Sequence, residues 1–216
     1  MTALNLLLVA ATTLAIGGGA ARATTISTLG TEDIFLSEWG LPVVDRFGQT
    51  ITLDTKMSVR SFTFRIDDEG TAISYLAELF RWNGFDTVGS ALASIAGSTL
   101  GNDAVTDYTA TLGDTPVDAG QYALVFRATS QGAAAWAVST TNPYAGGNLV
   151  LGIAGGRLSN FEPAFDAGFA VTLDEIAPVP LPAAFPFLLA AWGALGLLAR
   201  RTTKNRSAGA SQASAS

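Results

Sequence analysis

Apolar and polar residues alternate along the middle of this chain, and that period of two is the feature that most constrains its fold. In residues 61–66, phenylalanine or isoleucine at every second position alternates with serine, threonine or arginine. Residues 122–129 show the same spacing, although both sets of positions there are largely apolar. Because successive side chains of a strand point to opposite faces of a sheet, these segments are typical of half-buried and fully buried strands.

Short segments rich in Gly, Asn, Asp and Pro separate further apolar segments, as expected of strands joined by turns. Additional strands are predicted at residues 26–29, 50–53, 72–82, 107–112, 134–140, 149–152 and 169–173, with turns at 67–70, 82–84, 113–114, 118–120, 142–143 and 146–148. Residues 91–96 fit either a short helix or a strand. Many short strands without a long amphipathic helix predict an all-β fold, an antiparallel β-sandwich of the jelly-roll type, over residues 24–178.

The chain contains no cysteine and no histidine, which excludes several kinds of site. Disulfides, thiol nucleophiles, Ser-His-Asp triads and zinc sites with His or Cys ligands cannot form. Glycoside hydrolysis needs only two carboxylates, held ~5 to 9 Å apart, but no spacing among the 18 acidic residues marks such a pair. We therefore expect a non-enzymatic protein without cofactor or metal, with an exported carbohydrate-active hydrolase as the main alternative.

Acidic residues dominate the central region of the chain. From Glu32 to Glu175 there are 7 basic and 18 acidic residues, so this region carries a net charge of −11, against −6 for the whole chain. Such a surface repels phosphate backbones, and we therefore expect no nucleic-acid partner.

The N-terminal residues have the features of a secretory signal peptide. Residues 4–16 form an apolar stretch of suitable length, and Ala21-Arg22-Ala23 supplies the small-x-small pattern at which signal peptides are cut. Cleavage after Ala23 is therefore predicted, which makes residues 1–23 the signal peptide. An uncleaved N-terminal anchor is the alternative.

A second apolar segment lies near the C-terminus. Residues 181–199 contain no charged side chain and span roughly 28 Å as a helix, about the thickness of a bilayer core. A transmembrane helix is predicted at about residues 184–199, and Arg200 and Arg201 after it should keep the C-terminus cytoplasmic. The Ser/Ala/Gly-rich residues 202–216 are expected to be a disordered cytoplasmic tail. The alternatives are a buried core helix and a single-span membrane protein that is never cleaved.

Three features follow one another in this C-terminal region: the motif Val179-Pro180-Leu181-Pro182-Ala183, the apolar helix, and the basic stop Arg200-Arg201. Together they resemble a PEP-CTERM sorting signal of the VPLPA variety over residues 179–201. The resemblance implies a protein exported across the inner membrane of a Gram-negative bacterium, anchored there at first by its C-terminal helix. An exosortase would then cleave near the Pro-containing motif and pass the protein to the cell envelope or the extracellular matrix.

The ectodomain carries a second resemblance. Residues 61–64, 79–84, 118–122 and 142–147 are similar to the ectodomain commonly seen before such sorting signals, which resembles carbohydrate-binding jelly rolls. The resemblance implies a structural or adhesive protein with a polysaccharide as partner.

Aromatic residues supply the candidates for glycan contact, because flat apolar rings stack against sugars. The candidates at strand ends, where loops present ligand contacts, are Trp82, Asn83, Asn142 and Tyr144. The alternative places the tryptophans and most tyrosines in the core of the sandwich, where their large apolar area is buried.

Asp67-Asp68-Glu69-Gly70 places three carboxylates on one predicted turn. Oxygen ligands of this kind suit Ca²⁺, but the alternating spacing of an EF-hand loop is missing. A solvated hairpin turn is therefore the expected role, and calcium binding is the alternative.

Overall fold

The computed structural model describes residues 22–161 and 164–176, and within these residues every regular element is a strand. In chain order the strands are β1 (Ala23–Ser27), β2 (Ile34–Trp39), β3 (Val44–Leu53), β4 (Met57–Asp67), β5 (Ser74–Trp82), β6 (Thr87–Ser98), β7 (Val105–Val117), β8 (Gly120–Ala128), β9 (Ala134–Ser139), β10 (Leu149–Ile153), β11 (Leu158–Asn160), β12 (Asp166–Ala167) and β13 (Phe169–Glu175). The predicted sorting motif, C-terminal helix, basic stop at Arg200 and Arg201, tail, and signal peptide up to Ala21 lie outside the described residues. No helix that could cross a membrane is found in the described ranges.

The strands form one continuous hydrogen-bonded sheet in the order β1-β13-β4-β9-β2-β3-β8-β5-β6. Four strands extend this path: β7 pairs with β4, β10 with β3, β11 with β10, and β12 with β9. All pairs are antiparallel except β2 with β3, which run parallel where Trp39 lies opposite Val44. The all-β prediction is confirmed, and the sheet is mixed at this one place rather than purely antiparallel.

The sheet folds over into two halves, one containing β4 and the other β8, and these halves pack face to face. β4 and β8 are not hydrogen-bonded neighbours, yet the ring of Phe126 on β8 lies 5.1 Å from Phe64 and 5.6 Å from Phe62 on β4, between centroids. Alternate residues of both halves therefore point into one shared apolar core, an arrangement consistent with a β-sandwich. The largest buried rings of this core are Trp39, Phe47, Phe62, Phe64, Tyr122, Phe126, Trp136 and Phe169.

The structure differs from the sequence prediction at particular segments. Residues 91–96, left open between helix and strand, belong to the long strand β6, while β2, β11 and β12 were not predicted. The turn predicted at Gly113 is wrong. Residues 112–114 instead form a bulge inside β7, between Thr111 opposite Ser61 and Thr115 opposite Val59. Glycine accommodates positive φ in a bulge as readily as in a turn, and Gly113 has φ 71°.

Both ends of the described chain lie at one end of the sheet. Ala23 of β1 is opposite Asp174 of β13, and the Glu175 amide donates a 3.1 Å hydrogen bond to the Arg22 carbonyl. At this same end Met57, the first residue of β4, lies opposite both Glu175 and Val117. The turns after β3, β5 and β7 therefore gather at the end of the sheet where the described chain begins and finishes.

Candidate functional site

A cleft of about 450 Å³ opens on the outer face of strands β3, β8 and β5, at this same end of the sheet. Ile51 and Tyr122 point into the core, so Thr52 and Gln121, which are the next residues on their strands and lie opposite one another, face outward. The cleft contains six hydroxyl- or amide-bearing side chains: Thr50, Thr52, Gln121, Asn142, Asn148 and Asn160. Its other lining residues are small except for Trp82.

Trp82 forms part of the floor of this cleft. It packs in a small apolar cluster on the outer face of the sheet, with Ala123, Val125, Val150 and Leu158. Only 7% of Trp82 is exposed. Only a small part of this ring therefore reaches the cleft, and most of it is packed as the core alternative describes.

One wall of the cleft is the loop 142–148, whose backbone is held against β3 by hydrogen bonds to the amide and hydroxyl of Thr50 and the hydroxyl of Thr52. The Thr50 amide donates to the Asn148 carbonyl at 2.9 Å, and the Asn148 amide donates to Thr50 Oγ1 at 2.8 Å. Thr52 Oγ1 donates to the Gly146 carbonyl at 2.7 Å. A Cβ atom at Gly147 would lie 1.7 Å from the Thr50 carbonyl oxygen, so this close approach requires glycine.

Tyr144 supports this wall through the contacts described below, and it does not line the cleft itself. Its hydroxyl accepts a 3.1 Å hydrogen bond from the Thr52 amide, and its ring lies edge-on to Phe169 at 5.7 Å. The Tyr144 amide donates to the buried Asp166 carboxylate at 2.8 Å, and Gln49 Nε2 donates to the same carboxylate at 2.6 Å. Burial raises the pKa of Asp166 above its ordinary value, and these two hydrogen bonds oppose the rise.

The opposite wall is the turn between β5 and β6. Asn83 Oδ1 accepts hydrogen bonds from the amides of Phe85 and Asp86, both at 2.9 Å, so this side chain shapes the turn and does not line the cleft. Asn160 Nδ2 donates to the Gly84 carbonyl at 3.1 Å and ties the turn to β11. Of the four candidates from the sequence, Trp82 and Asn142 line the cleft, while Asn83 and Tyr144 support its walls.

Sequence reasoning missed Gln121, Thr50, Thr52 and Asn160 as lining residues. Gln121 and Thr52 meet only through the register of β8 with β3, which no local pattern reveals. It also missed Phe85, which is 82% exposed at the tip of the turn beside the cleft. The signal there was an aromatic residue directly after an Asn-Gly turn.

The other aromatic candidates belong to the core. Trp39, Trp136 and Tyr122 are at most 2% exposed, and Tyr75 and Tyr108 at most 7%. Tyr75 stacks on Phe126 at 4.2 Å, as expected for sandwich core. For these five residues the core alternative is correct.

The comparisons with known proteins do not identify a family. No protein-family model and no curated protein matches the chain. Among solved structures, it is similar to the infectious bursal disease virus Gt strain structure, with 15% identity, 88% of this chain and 55% of that chain covered, and a TM-score of 0.30. It is also similar to a crystal structure of the VP2 subviral particle of the same virus, with 13% identity, 78% of this chain and 44% of that chain covered, and a TM-score of 0.31. The chain spans about half the length of these structures, and a likeness this low carries no argument.

The turn 67–70 has a structural role that centres on Asp68. This buried carboxylate accepts hydrogen bonds from the amides of Gly101, Asn102 and Asp103 at 2.6 to 2.9 Å. Desolvation alone would raise the pKa of Asp68, but these bonds and one from Tyr108 lower it below its ordinary value. Within the described residues no group of three or more acidic side chains is placed to hold a metal ion.

Proposed function

We propose that this chain is an exported, exosortase-sorted protein of the cell envelope or extracellular matrix, with a structural or adhesive role and a jelly-roll ectodomain that binds a neutral glycan weakly. The export and sorting part is supported by the ordered features of residues 1–23 and 179–201. The glycan part is supported by one observation above all. The cleft has six hydroxyl or amide side chains, and no described residue that lines it is ionisable.

Hydroxyl and amide groups match the chemistry of uncharged sugars. Each can donate or accept a hydrogen bond, as each sugar hydroxyl can, so a neutral glycan can be bound without desolvating a charge. An acidic glycan would meet no cation in the described lining, and it would approach a region of net charge −11. The cleft is therefore better suited to neutral than to acidic polysaccharides.

The residues that line the cleft also favour glycan binding over glycan hydrolysis. A glycosidase needs two carboxylates flanking the bond that is cut, and the described lining of this cleft provides none. Binding is thus the activity that this geometry supports best.

Sorting is tested by intact-mass spectrometry of the protein recovered from its native host, with membrane and released fractions compared. We expect a released form that begins at Thr24 and ends near Pro182. Recovery only of membrane-bound chains that keep residues 184–216 would contradict exosortase processing and leave a single-span membrane protein.

Glycan binding is tested by affinity electrophoresis of the protein in gels that contain dextran, a neutral polymer, or alginate, an acidic one. We expect retardation by dextran only, and Gln121→Ala should weaken it about fivefold through a lost hydrogen bond. Gln131→Ala is the matched control, because this exposed glutamine follows the other end of β8. Gln121→Lys should introduce retardation by alginate. Equal mobility in all gels would contradict the glycan proposal.

A further inference from the structure

Strand β6 forms an edge of the sheet and has an unusual composition. Among the described strands it pairs only with β5, so its other edge leaves backbone amides and carbonyls without a strand partner. Residues 87–102 contain no charged side chain and no proline, in a region of net charge −11. An unpaired, uncharged edge of this length favours pairing with another strand.

The other edges of the described sheet have features that oppose such pairing. β7 carries Asp107, Asp114 and Pro116 and is interrupted by the bulge at 112–114. β1 has 5 residues and β11 has 3, which is too short for extended pairing. Only β6 combines length with the absence of charge and proline among these edges.

Exposed apolar side chains are concentrated along the same segment. Of the twelve large apolar side chains exposed in the described residues, six lie between residues 85 and 105: Phe85, Val88, Leu92, Ile95, Leu100 and Val105. On β6 itself these residues are 40 to 47% exposed. Within residues 93–98 the exposed large apolar side chain is Ile95, so pairing there would remove its surface from water as well as satisfy backbone groups.

The regular part of the edge is residues 93–98. Residues 89–92 bulge outward opposite Phe80, because Val88 pairs with Arg81 and Ala93 pairs with Leu79. Beyond the bulge the side chains are small apart from Ile95, and the ring of Tyr75 lies directly beneath Gly97, 2.6 Å from where a Cβ atom would be. The regular pairing with β5 and the small side chains let a second strand approach residues 93–98 closely.

We propose that β6 pairs edge to edge, antiparallel and about a two-fold axis, with β6 of a second copy of this chain. Two copies of a region with net charge −11 repel one another overall, whereas residues 87–102 bring no charges together. Two-fold antiparallel pairing also requires a strand that is complementary to itself, which small uncharged side chains satisfy. Six residues span only about 20 Å, so the association is weak and depends on local concentration.

The test is sedimentation velocity on the full chain in nonionic detergent over a range of concentrations. We expect reversible dimers, and Ala96→Glu should raise the dissociation constant at least tenfold because the two-fold axis brings the new charges together. Thr111→Glu adds the same charge at an exposed position of β7 and should change the dissociation constant less than twofold. A monomer at every concentration, or a dimer equally weakened by both variants, would overturn the proposal.

Hydrogen–deuterium exchange on the wild-type chain gives a second measurement that does not depend on how the variants fold. Amides of residues 93–98 should become protected as the concentration rises, while those of the edge strand β7 should not change. Dimers that leave exchange in β6 unchanged would place the interface elsewhere and contradict the inference. Protection of β6 that is already complete in the monomer would show that another part of the same chain covers this edge, and would equally contradict it.

Discussion

The phenolic hydroxyl of Tyr108 donates a 2.9 Å hydrogen bond to the carboxylate of Asp68 and accepts one of 3.1 Å from the amide of Leu100. Asp68 lies in the turn between β4 and β5, and Tyr108 lies on β7. The carboxylate also holds the amides of residues 101–103, in the connection from β6 to β7. One buried side chain therefore joins two of the segments by which the chain crosses between the halves of the sheet.

Replacing Asp68 with Ala should lower the free energy of unfolding by about 3 kcal/mol, because the buried Tyr108 hydroxyl and three part-buried amides lose their acceptor at once. Asp67→Ala is the matched control and should cost less than about 1 kcal/mol, since the hydrogen bond that Asp67 accepts within the described residues, from the Glu69 amide, is exposed. Urea unfolding at pH 7 measures both. Equal losses in the two variants would contradict the role assigned to Asp68.

The same carboxylate predicts acid sensitivity. The folded-state pKa of Asp68 lies below its ordinary value of 3.8, so the unfolded state binds more protons over that interval. Its contribution to stability is present above pH 3.8 and is lost as the pH falls through the folded pKa. Asp68→Asn should reduce the fall in the free energy of unfolding below pH 3.8. An equal fall in the variant and the wild type would contradict this prediction.

Asp166 should have the opposite pH dependence. Its pKa in the folded protein is raised, chiefly by burial, so here the folded state binds more protons than the unfolded state. The free energy of unfolding should therefore fall as the pH rises from 3.8 through the raised pKa. Asp166→Asn removes this titration, and unfolding in urea between pH 4 and 7 should show a smaller decline. Parallel pH profiles for wild type and variant would rule out Asp166 as the cause.

Trp82→Ala should destabilise the protein by about 3 kcal/mol, since the ring is buried in the outer apolar cluster and its removal leaves a cavity. Trp82→Phe keeps most of this packing and should cost clearly less. Thermal unfolding of both variants measures the difference. A stable Trp82→Ala protein that no longer binds dextran would instead make this ring a stacking surface.

Local patterns in the sequence were sufficient for those strands whose apolar and polar residues alternate, such as residues 61–66 of β4. They left β6 open because Ala, Gly and Ser fit a helix or a strand equally well, and they missed β2, where Phe35 is exposed and spoils the alternation. The cleft was only partly predictable. Trp82 stands at a strand end that the turn signal revealed, but Gln121 reaches the same cleft through pairing between distant strands.

The proposed membrane anchor is followed directly by two arginines, at positions 200 and 201. Replacing Arg200 and Arg201 with Ala should reduce several-fold the fraction of chains with a cytoplasmic C-terminus, because positive charge beside an apolar helix sets its direction. Replacing Thr202 and Thr203 with Ala alters neighbouring positions without changing charge and should have no such effect. Protease accessibility of a C-terminal tag in intact spheroplasts measures the orientation. Unchanged accessibility and membrane fractionation in the arginine variant would show that these residues do not act as the membrane stop.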